Sequence, residues 1–226
     1  GGIPYIMDRI GNPPIYTTML NKEMLKRRQE EFSNAPKLNF EIVKDGETHQ
    51  ISKNFKATFF DVVHNIPEGV GIVLDTPIGK IVHPGEFKFD YDIDGSPVKM
   101  DVWKNLGEQK IHTLLLDSTG ADKQGYSLSE RIVEAEIEKI FKKAEGRIIV
   151  GTFASLLDRL GEIIKIAEKH NRKVFISGFS MKANIQIAQN LGYMKIKKET
   201  IAPLEEINKY RDDKIVVLCT GAQGEP

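Results

Sequence analysis

The sequence lacks several features that would place it in a special class of protein. It has a single cysteine, Cys219, so no internal disulfide can form, which is typical of proteins in a reducing compartment. No stretch approaches the roughly 20 consecutive apolar residues of a membrane-spanning helix, and the first residues have neither the basic nor the apolar region of a signal peptide. These absences favour a cytoplasmic protein with no membrane partner.

Net charge is also lacking. Lysine plus arginine and aspartate plus glutamate number 32 each, which excludes a generally basic nucleic-acid binder but not a local basic patch. The hydrophobic fraction is 40% of 226 residues, enough for one large core or two small ones.

Residues 1–128 are rich in short strand-like runs, with one helix expected at Met19–Phe32, and favour a mainly antiparallel layered α/β structure. Residues 129–226 favour a second domain of a different type.

The dipeptide Asp45-Gly46 lies between two strand-like runs, Leu38–Val43 and Glu47–Ile51. Asp-Gly in this position is typical of a tight turn, because both residues tolerate a positive φ. The sequence therefore predicts an antiparallel hairpin centred on Lys44-Asp45-Gly46. Further strands of the first half are expected at Lys56–Val63, Val70–Thr76, Lys80–His83 and His112–Leu116.

The second half is a regular alternation of helical and strand patterns, which favours a doubly wound parallel sheet. Apolar residues at helical spacing predict helices at Ser129–Ala144, Ser155–His170 and Met181–Leu191. Nearly all-apolar runs predict strands at Arg147–Gly151, Lys173–Ser177 and Lys214–Cys219. Gly192 is expected to end the third helix, because glycine readily adopts the left-handed conformation found there.

Small hydroxyl residues follow the three strands of this half: Ser155, Ser180 and Thr220. Parallel strands end at the same edge of a sheet, where ligands bind in doubly wound folds. Hydroxyls and free amides at the start of a helix can hold a phosphate there. For Ser155, the plain alternative is an N-cap of its own helix, which is compatible with phosphate binding. No complete dinucleotide or Walker fingerprint is present in the sequence, which speaks against a common nucleotide cofactor.

Two possible metal ligands, His64 and Asp117, stand at the ends of apolar runs. A strand end is rigid and the loop after it opens to solvent, so both positions suit a ligand. Two residues alone cannot make a zinc site, which needs about three to four protein ligands. The plain alternatives are a structural histidine and an aspartate that bonds to backbone amides of its own turn, Asp117-Ser-Thr-Gly.

In their order along the chain, seven segments resemble motifs of the metallo-β-lactamase/β-CASP nucleases, in particular those of the ribonuclease J family. The segments are Gly1–Tyr5, His64–Glu68, Pro84–Lys88, Leu116–Thr119, Ser129-Glu130, Thr152–Ser155 and Thr220–Pro226. The resemblance covers nearly the whole chain. It implies partial metallo-β-lactamase αββα layers over residues 1–128, followed by a doubly wound parallel-sheet β-CASP domain over residues 129–226.

The resemblance also implies an activity: zinc-dependent hydrolysis of RNA phosphodiester bonds, by 5′-to-3′ exonuclease and by endonuclease action. In such an enzyme two zinc ions activate a water and hold the scissile phosphate. A homo-oligomer of the complete protein is compatible with the family. Matching the motifs residue by residue implies His64 and Asp117 as metal ligands, Asp117 and Glu130 as catalytic residues, and Ser155, Arg159, Ser180 and Thr220 as RNA-binding residues.

The sequence also departs from the family. The His-x-His-x-Asp-His motif is absent, and both ends look cut, so we expect an internal piece of a nuclease that binds zinc weakly and cleaves little or no RNA. Asp158-Arg159 stands where the family often has His-Arg, and Ala222 replaces a more usual serine. Two alternatives stay open: a non-catalytic RNA-binding or scaffold module of the same fold, and a metallohydrolase of small substrates, which the β-CASP-like second half disfavours.

Overall fold

The chain forms two compact units in the computed structural model, which describes residues 2–33 and 36–220. The N-terminal unit comprises Gly1–His64, Glu68–Lys88 and Lys99–Gln124. The C-terminal unit comprises Asn65–Pro67, Phe89–Val98 and Gly125–Pro226. Two short segments of the first half thus belong to the second unit. The predicted domain boundary between residues 128 and 129 stays a prediction.

The N-terminal unit contains two sheets. Its elements are α1 (Ile3–Ile6), a 3-10 helix (Met7–Ile10), β1 (Ile15–Thr17), α2 (Met19–Gln29), β2 (Phe40–Ile42), β3 (Thr48–Ser52), β4 (Phe55–Asp61), β5 (Val70–Thr76), β6 (Gly79–His83), α3 (Met100–Gly107) and β7 (Ile111–Leu114). Strands β1 and β2 pair in parallel. The larger sheet has the order β3-β4-β5-β6-β7 and is antiparallel except between β6 and β7. The mainly antiparallel α/β structure expected for this half is confirmed.

The predicted hairpin at Lys44-Asp45-Gly46 is wrong, because β2 pairs with β1 whereas β3 pairs with β4. The tight turn of this region lies instead at Ser52–Phe55, between β3 and β4. Asp45 has another use: its Oδ1 accepts a hydrogen bond from the backbone amide of Asp61 at 2.8 Å. Gly46 has a φ of +77°, so the dipeptide does turn the chain, but from one sheet to the other.

Strand β4 has a core cluster on each of its two faces. Alternate side chains of a strand point to opposite faces, and here each face joins a separate core cluster. One cluster contains Val43, Ala57 and Phe59; the other contains Phe60, Val62, Val73, Val82 and Leu106. Leu106 lies on α3, which was not predicted, because a helix of 8 residues gives only about two turns of periodic pattern.

The C-terminal unit is a parallel α/β structure, as predicted. Its elements are α4 (Glu130–Lys143), β8 (Ile148–Gly151), α5 (Leu157–Lys169), β9 (Lys173–Ser177), α6 (Phe179–Asn190), β10 (Ile201–Ala202), two 3-10 helices (Leu204–Lys209 and Asp212–Lys214) and β11 (Ile215–Cys219). All pairings in its sheet, of order β10-β9-β11-β8, are parallel. Across residues 2–33 and 36–220, no helix is long and apolar enough to cross a bilayer.

Two helix ends of this unit are of interest. The N-cap prediction for Ser155 is wrong: α5 has Leu156 at its N-cap position, with no side-chain cap bond. The amide of Leu157 bonds instead to the carbonyl oxygens of Ser155, at 2.8 Å, and Asn65, at 3.1 Å, so the helix begins later than the pattern predicts. Gly192, with a φ of +84°, follows α6 as expected.

Candidate functional site

The carboxyl ends of three strands lie at the same edge of the C-terminal sheet. Cys219, the last residue of β11, is in register with Gly151 of β8 and with Ser177 of β9. The three predicted hydroxyl residues follow these strand ends: Ser180 and Thr220 are exposed, and Ser155 is half-buried. The topology thus brings the three strand ends that precede them to one edge, as predicted. Their role in RNA binding stays a prediction.

The backbone at this edge is closely packed around Gly178, which begins the turn between β9 and α6. Gly178 has a φ of +134°, and a Cβ placed on it would lie 3.1 Å from the Cγ2 and Oγ1 atoms of Thr220. A side chain here would meet both a strained backbone and the Thr220 side chain. The glycine therefore allows the loops after β9 and β11 to approach each other.

Two phenylalanines at the same edge were missed by the sequence analysis. Phe153 follows β8 and is 44% exposed, and Phe179, the first residue of α6, is 67% exposed. Exposed aromatic rings offer faces on which bases of a single strand can stack. Their signal in the sequence was an aromatic residue beside a small hydroxyl residue at a strand-to-helix junction, a position where a core residue is the usual interpretation.

Arg159 and Glu130, both predicted site residues, form an ion pair within the C-terminal unit. Arg159 Nη2 lies 2.9 Å from Glu130 Oε1 and 3.1 Å from Oε2, and Arg159 Nε donates to Oε2 at 3.3 Å. The two side chains retain 32% and 43% exposure, respectively. They line a cleft of about 230 Å³ between α4 and α5. The guanidinium is therefore already engaged, and binding a phosphate would require it to share or leave Glu130.

Glu130 is held in place by the start of its helix. Ser129 Oγ accepts a hydrogen bond from the amide of Arg131 at 3.1 Å, which is an N-cap bond. The same hydroxyl donates to the carbonyl oxygen of Tyr91. Asp90, only 8% exposed, accepts a hydrogen bond from the Glu130 amide at 3.3 Å. These bonds tie the segment Phe89–Val98 to α4 and explain why it belongs to the C-terminal unit.

In the N-terminal unit, His64 follows β4 and is half-buried, with 29% of its side chain exposed. Its Nδ1 atom lies 3.7 Å from Oε2 of Glu86. Another histidine of the unit, His83, accepts a hydrogen bond on Nδ1 from the Gly85 amide at 2.9 Å. Glu86 belongs to the segment Pro84–Lys88, which resembles a family motif, but no separate feature of the sequence singles it out.

Asp117 makes the turn that its plain interpretation predicts. Its Oδ1 accepts hydrogen bonds from the Thr119 hydroxyl, at 2.7 Å, and from the Thr119 amide, at 3.0 Å. These bonds lower the pKa of the Asp117 carboxyl below its usual value, the hydroxyl having the larger effect, and the charge of His64 lowers it further. The carboxylate is therefore ionised over the neutral range.

A complete metal site is not present among the residues described. In the ranges 2–33 and 36–220, no group of three or more His, Cys, Asp or Glu side chains is arranged to hold a metal ion. His64 and Asp117 supply two donors, and zinc needs about three to four. The residues described do not by themselves fit a zinc site. The glycine-rich segment with Ala222 and the opening Gly1, both quoted for the resemblance, lie outside the described residues.

Comparison with known proteins shows what this chain is similar to. Residues 145–226 match a family model described as "Ribonuclease J, beta-CASP domain". Ribonuclease J of Mycoplasma pneumoniae is 36% identical over 225 residues, which span 100% of this chain and 39% of that protein. Over its whole length, this chain is a relative of ribonuclease J.

A second relative agrees with this. Ribonuclease J 2 of Staphylococcus saprophyticus is 32% identical over 227 residues, spanning 100% of this chain and 40% of that protein. The chain thus spans about two fifths of the length of the ribonuclease J proteins that it matches. Among solved structures, a protein of unknown function from Enterococcus faecalis superposes with a TM-score of 0.65 at 11% identity, over 92% of this chain and 52% of that one, which supports the fold alone.

Proposed function

We propose that this chain is part of a metal-dependent RNA phosphodiester hydrolase that combines 5′-to-3′ exonuclease and endonuclease action. The observation that carries the proposal is the match to ribonuclease J proteins at 32% to 36% identity over the entire chain. The chain itself contributes only part of the catalytic machinery. As given, it binds zinc weakly and cleaves little or no RNA.

In this proposal, His64 and Asp117 are two of the zinc donors. Three properties support the assignment: both follow strands of one sheet, His64 influences the pKa of the Asp117 carboxyl, and that carboxyl is ionised at neutral pH. A metal ligand must be deprotonated, so a lowered pKa favours the role. The remaining donors would come from residues other than those described. Glu130 is the supporting acidic residue, held by Arg159.

RNA would run along the carboxyl edge of the C-terminal sheet. Ser155, Arg159, Ser180 and Thr220 are the proposed phosphate contacts, and Phe153 and Phe179 the proposed stacking surfaces. The supporting observation is that the three strand ends share one edge, with exposed hydroxyls and aromatic rings after them. We further propose a cytoplasmic location, on the basis of the bacterial relatives, and homo-oligomer formation by the complete protein.

The test uses the chain extended until it contains the His-x-His-x-Asp-His motif. Metal analysis should find about two zinc ions per extended chain, and RNA cleavage should appear. Each of His64→Ala and Asp117→Ala should lower the zinc content and reduce cleavage by about a hundredfold or more, because losing even a residue that orients a metal ligand costs about 10- to 100-fold. Full activity in either variant would overturn the assignment.

Two matched controls are available in the chain. Asp94 also accepts hydrogen bonds from a hydroxyl and an amide of its own turn, those of Ser96, so Asp94→Ala tests turn chemistry without the proposed ligand. His112→Ala removes an exposed histidine of β7. Both controls should keep the zinc content and the cleavage rate of the unsubstituted chain.

A non-catalytic RNA-binding or scaffold module is the second candidate. The observation that favours it is that the described residues contain no group of three metal-binding side chains. It predicts RNA binding without zinc in both the short and the extended chain. An extended chain with neither zinc nor cleavage, but with RNA affinity, would establish this alternative.

A further inference from the structure

A cleft in the N-terminal unit is lined by residues other than His64 and Asp117. Its volume is about 340 Å³, and it is formed by the start of α2, the loop after β2, the two ends of the β4–β5 connection and the residue before α3. Its polar lining residues include Thr18, Lys44, Asp45, Asp61, Glu68 and Lys99. The buried Val43 provides an apolar floor.

Thr18 is the feature that points to a ligand. Its side chain is almost completely buried, with 1% of the residue exposed, and its Oγ1 atom has no hydrogen-bond partner among the described residues. It occupies the N-cap position of α2, yet its hydroxyl makes no cap bond to that helix. A buried polar atom without a hydrogen-bond partner destabilises the fold, because it has lost its bonds to water without replacing them. A bound group that satisfies Oγ1 would remove this destabilisation.

The helix that Thr18 precedes is long enough to attract an anion. α2 has 11 residues, and its first-turn amides carry the positive end of the helix dipole. Lys44 lines the same cleft, and the ammonium group of Lys99 pairs with Asp61. An anionic oxygen near the start of α2 would thus meet a hydroxyl, a positive helix end and a lysine.

Carboxylates line the other part of the cleft. Oδ1 of Asp45 accepts a hydrogen bond from the Asp61 amide, and the Asp61 carboxylate pairs with Lys99. Glu68 is therefore the carboxylate best placed to accept a hydrogen bond from a ligand. A carboxylate accepts hydrogen bonds from hydroxyl groups. A divalent cation does not fit this arrangement, since the described residues include no group of three acidic or imidazole side chains spaced for a metal.

The cleft therefore suits a ligand that has an anionic group and a hydroxyl donor close together. A ribose phosphate has both, and a carboxylate that bonds a ribose hydroxyl is a common device for recognising it. Glu68 and Lys99 also have positive φ values of +59° and +52°. Such strained backbone conformations of non-glycine residues occur preferentially at ligand sites, which agrees with this interpretation.

We propose that this cleft binds one ribonucleotide unit of a single-stranded RNA. The phosphate lies at the start of α2 beside Thr18 and Lys44, and the ribose 2′-hydroxyl donates to the carboxylate of Glu68. The site rests on the proposed RNA function and adds a basis for choosing RNA over DNA, because only RNA carries the 2′-hydroxyl. It is a recognition site built from residues other than the predicted zinc ligands.

The experiment measures the binding of two fluorescent probes, a 12-nucleotide oligouridylate and the matching oligodeoxyuridylate, which differ only in the 2′-hydroxyl. The unsubstituted chain should bind the RNA probe more tightly. Glu68→Gln and Thr18→Val should each weaken RNA binding about 3- to 10-fold, the effect of one hydrogen bond. Glu68→Gln should leave DNA binding nearly unchanged, whereas Thr18→Val should weaken binding of both probes.

Glu41→Gln is the matched control, since Glu41 is an exposed residue of β2 outside the cleft, and it should bind both probes like the unsubstituted chain. Thr18→Val should also leave the melting temperature unchanged or raised, because it removes an unpaired buried hydroxyl; this separates lost binding from lost folding. If RNA binds but neither cleft variant differs from the control, the cleft proposal alone is overturned. If the unsubstituted chain binds neither probe, the RNA function of this chain fails and the subsite with it.

Discussion

Asp117 and Arg159 use their charges within the chain before any ligand arrives. Asp117 accepts hydrogen bonds from the hydroxyl and the amide of Thr119. Arg159 donates to both carboxylate oxygens of Glu130. Both arrangements have a purely structural explanation. They also hold the side chain in one orientation, which a metal ligand or a phosphate contact requires. A structural and a functional role of Asp117 can therefore be told apart only by substituting the residue that bonds to it, Thr119, and leaving Asp117 itself in place.

Thr119→Val is such a change. It removes the hydroxyl that contributes most to the low pKa of the Asp117 carboxyl, while the Thr119 amide can still donate. We expect the pKa of Asp117 to rise toward its usual value, as measured by NMR titration of the side-chain carboxyl carbon. Ser118→Ala, next to it in the same turn, should leave the pKa as it is. An unchanged pKa in Thr119→Val would contradict the assigned cause.

The pH dependence of stability follows from the same shift. A carboxyl whose pKa is lower in the folded than in the unfolded state stabilises the fold at a pH above its unfolded pKa. That contribution is lost as the pH falls through the folded pKa. The stability difference between the unsubstituted chain and Thr119→Val should therefore be present at neutral pH and disappear in acid.

At the scale of the element, the pairing of β4 with β5 depends on the absence of a side chain. Gly71 of β5 lies opposite Phe60 of β4, and a Cβ placed on Gly71 would be 2.3 Å from Phe60 Cζ. The Phe60 ring thus covers the glycine and reaches the cluster with Val82 and Leu106. The sequence shows only a glycine within a strand-like run, a pattern that also indicates a bulge.

Gly71→Ala should consequently destabilise the N-terminal unit. Moving a packed aromatic ring to admit a methyl group costs about 1–3 kcal/mol, which chemical denaturation would detect as a lower midpoint. Gly107→Ala is the matched control, because a Cβ there meets no atom within 4 Å and Gly107 ends α3 without a positive φ. It should be neutral or slightly stabilising. Equal effects of the two substitutions would contradict the proposed packing of Phe60.

At the scale of the molecule, the two units differ in how fully their sheets are covered. In the C-terminal unit, Val174 and Phe175 of β9 and Val216 and Leu218 of β11 are fully buried. In the N-terminal unit, β7 is one of the two edge strands of its sheet, and Leu114–Leu116 at its end are about half exposed, at 53%, 48% and 51%. An apolar sheet edge that is open on one side is a weak point of a fold.

We therefore expect the N-terminal unit to be the less stable one, or to depend on a partner. Hydrogen exchange should show faster opening of amides in β6 and β7 than in β9 and β11, since local opening follows local burial. Extending the chain, or adding a partner that covers β7, should slow the hydrogen exchange of the β7 amides selectively. Uniform protection across both units would contradict the prediction.

The parts of the fold that were predictable are those encoded by local periodicity. The helices α4, α5 and α6 and the strands β8, β9 and β11 follow from the spacing of apolar residues, with ends shifted by at most two positions. The hairpin at Asp45-Gly46 failed because two different sheets compete for the strands on either side. Its turn signal is local, whereas the choice of a strand's partner is made by residues far away in the sequence.

The candidate site divides in the same way. The sequence by itself determined the alternating α/β pattern, the resemblance to ribonuclease J and the residues to test, because backbone geometry imposes its period on every helix and strand. Only the tertiary structure brought Glu130 to Arg159 across 29 positions and placed Thr18 in a cleft with Glu68 and Lys99. Contacts between residues far apart in the sequence depend on how distant elements pack around a common core, and a local sequence pattern does not predict that packing.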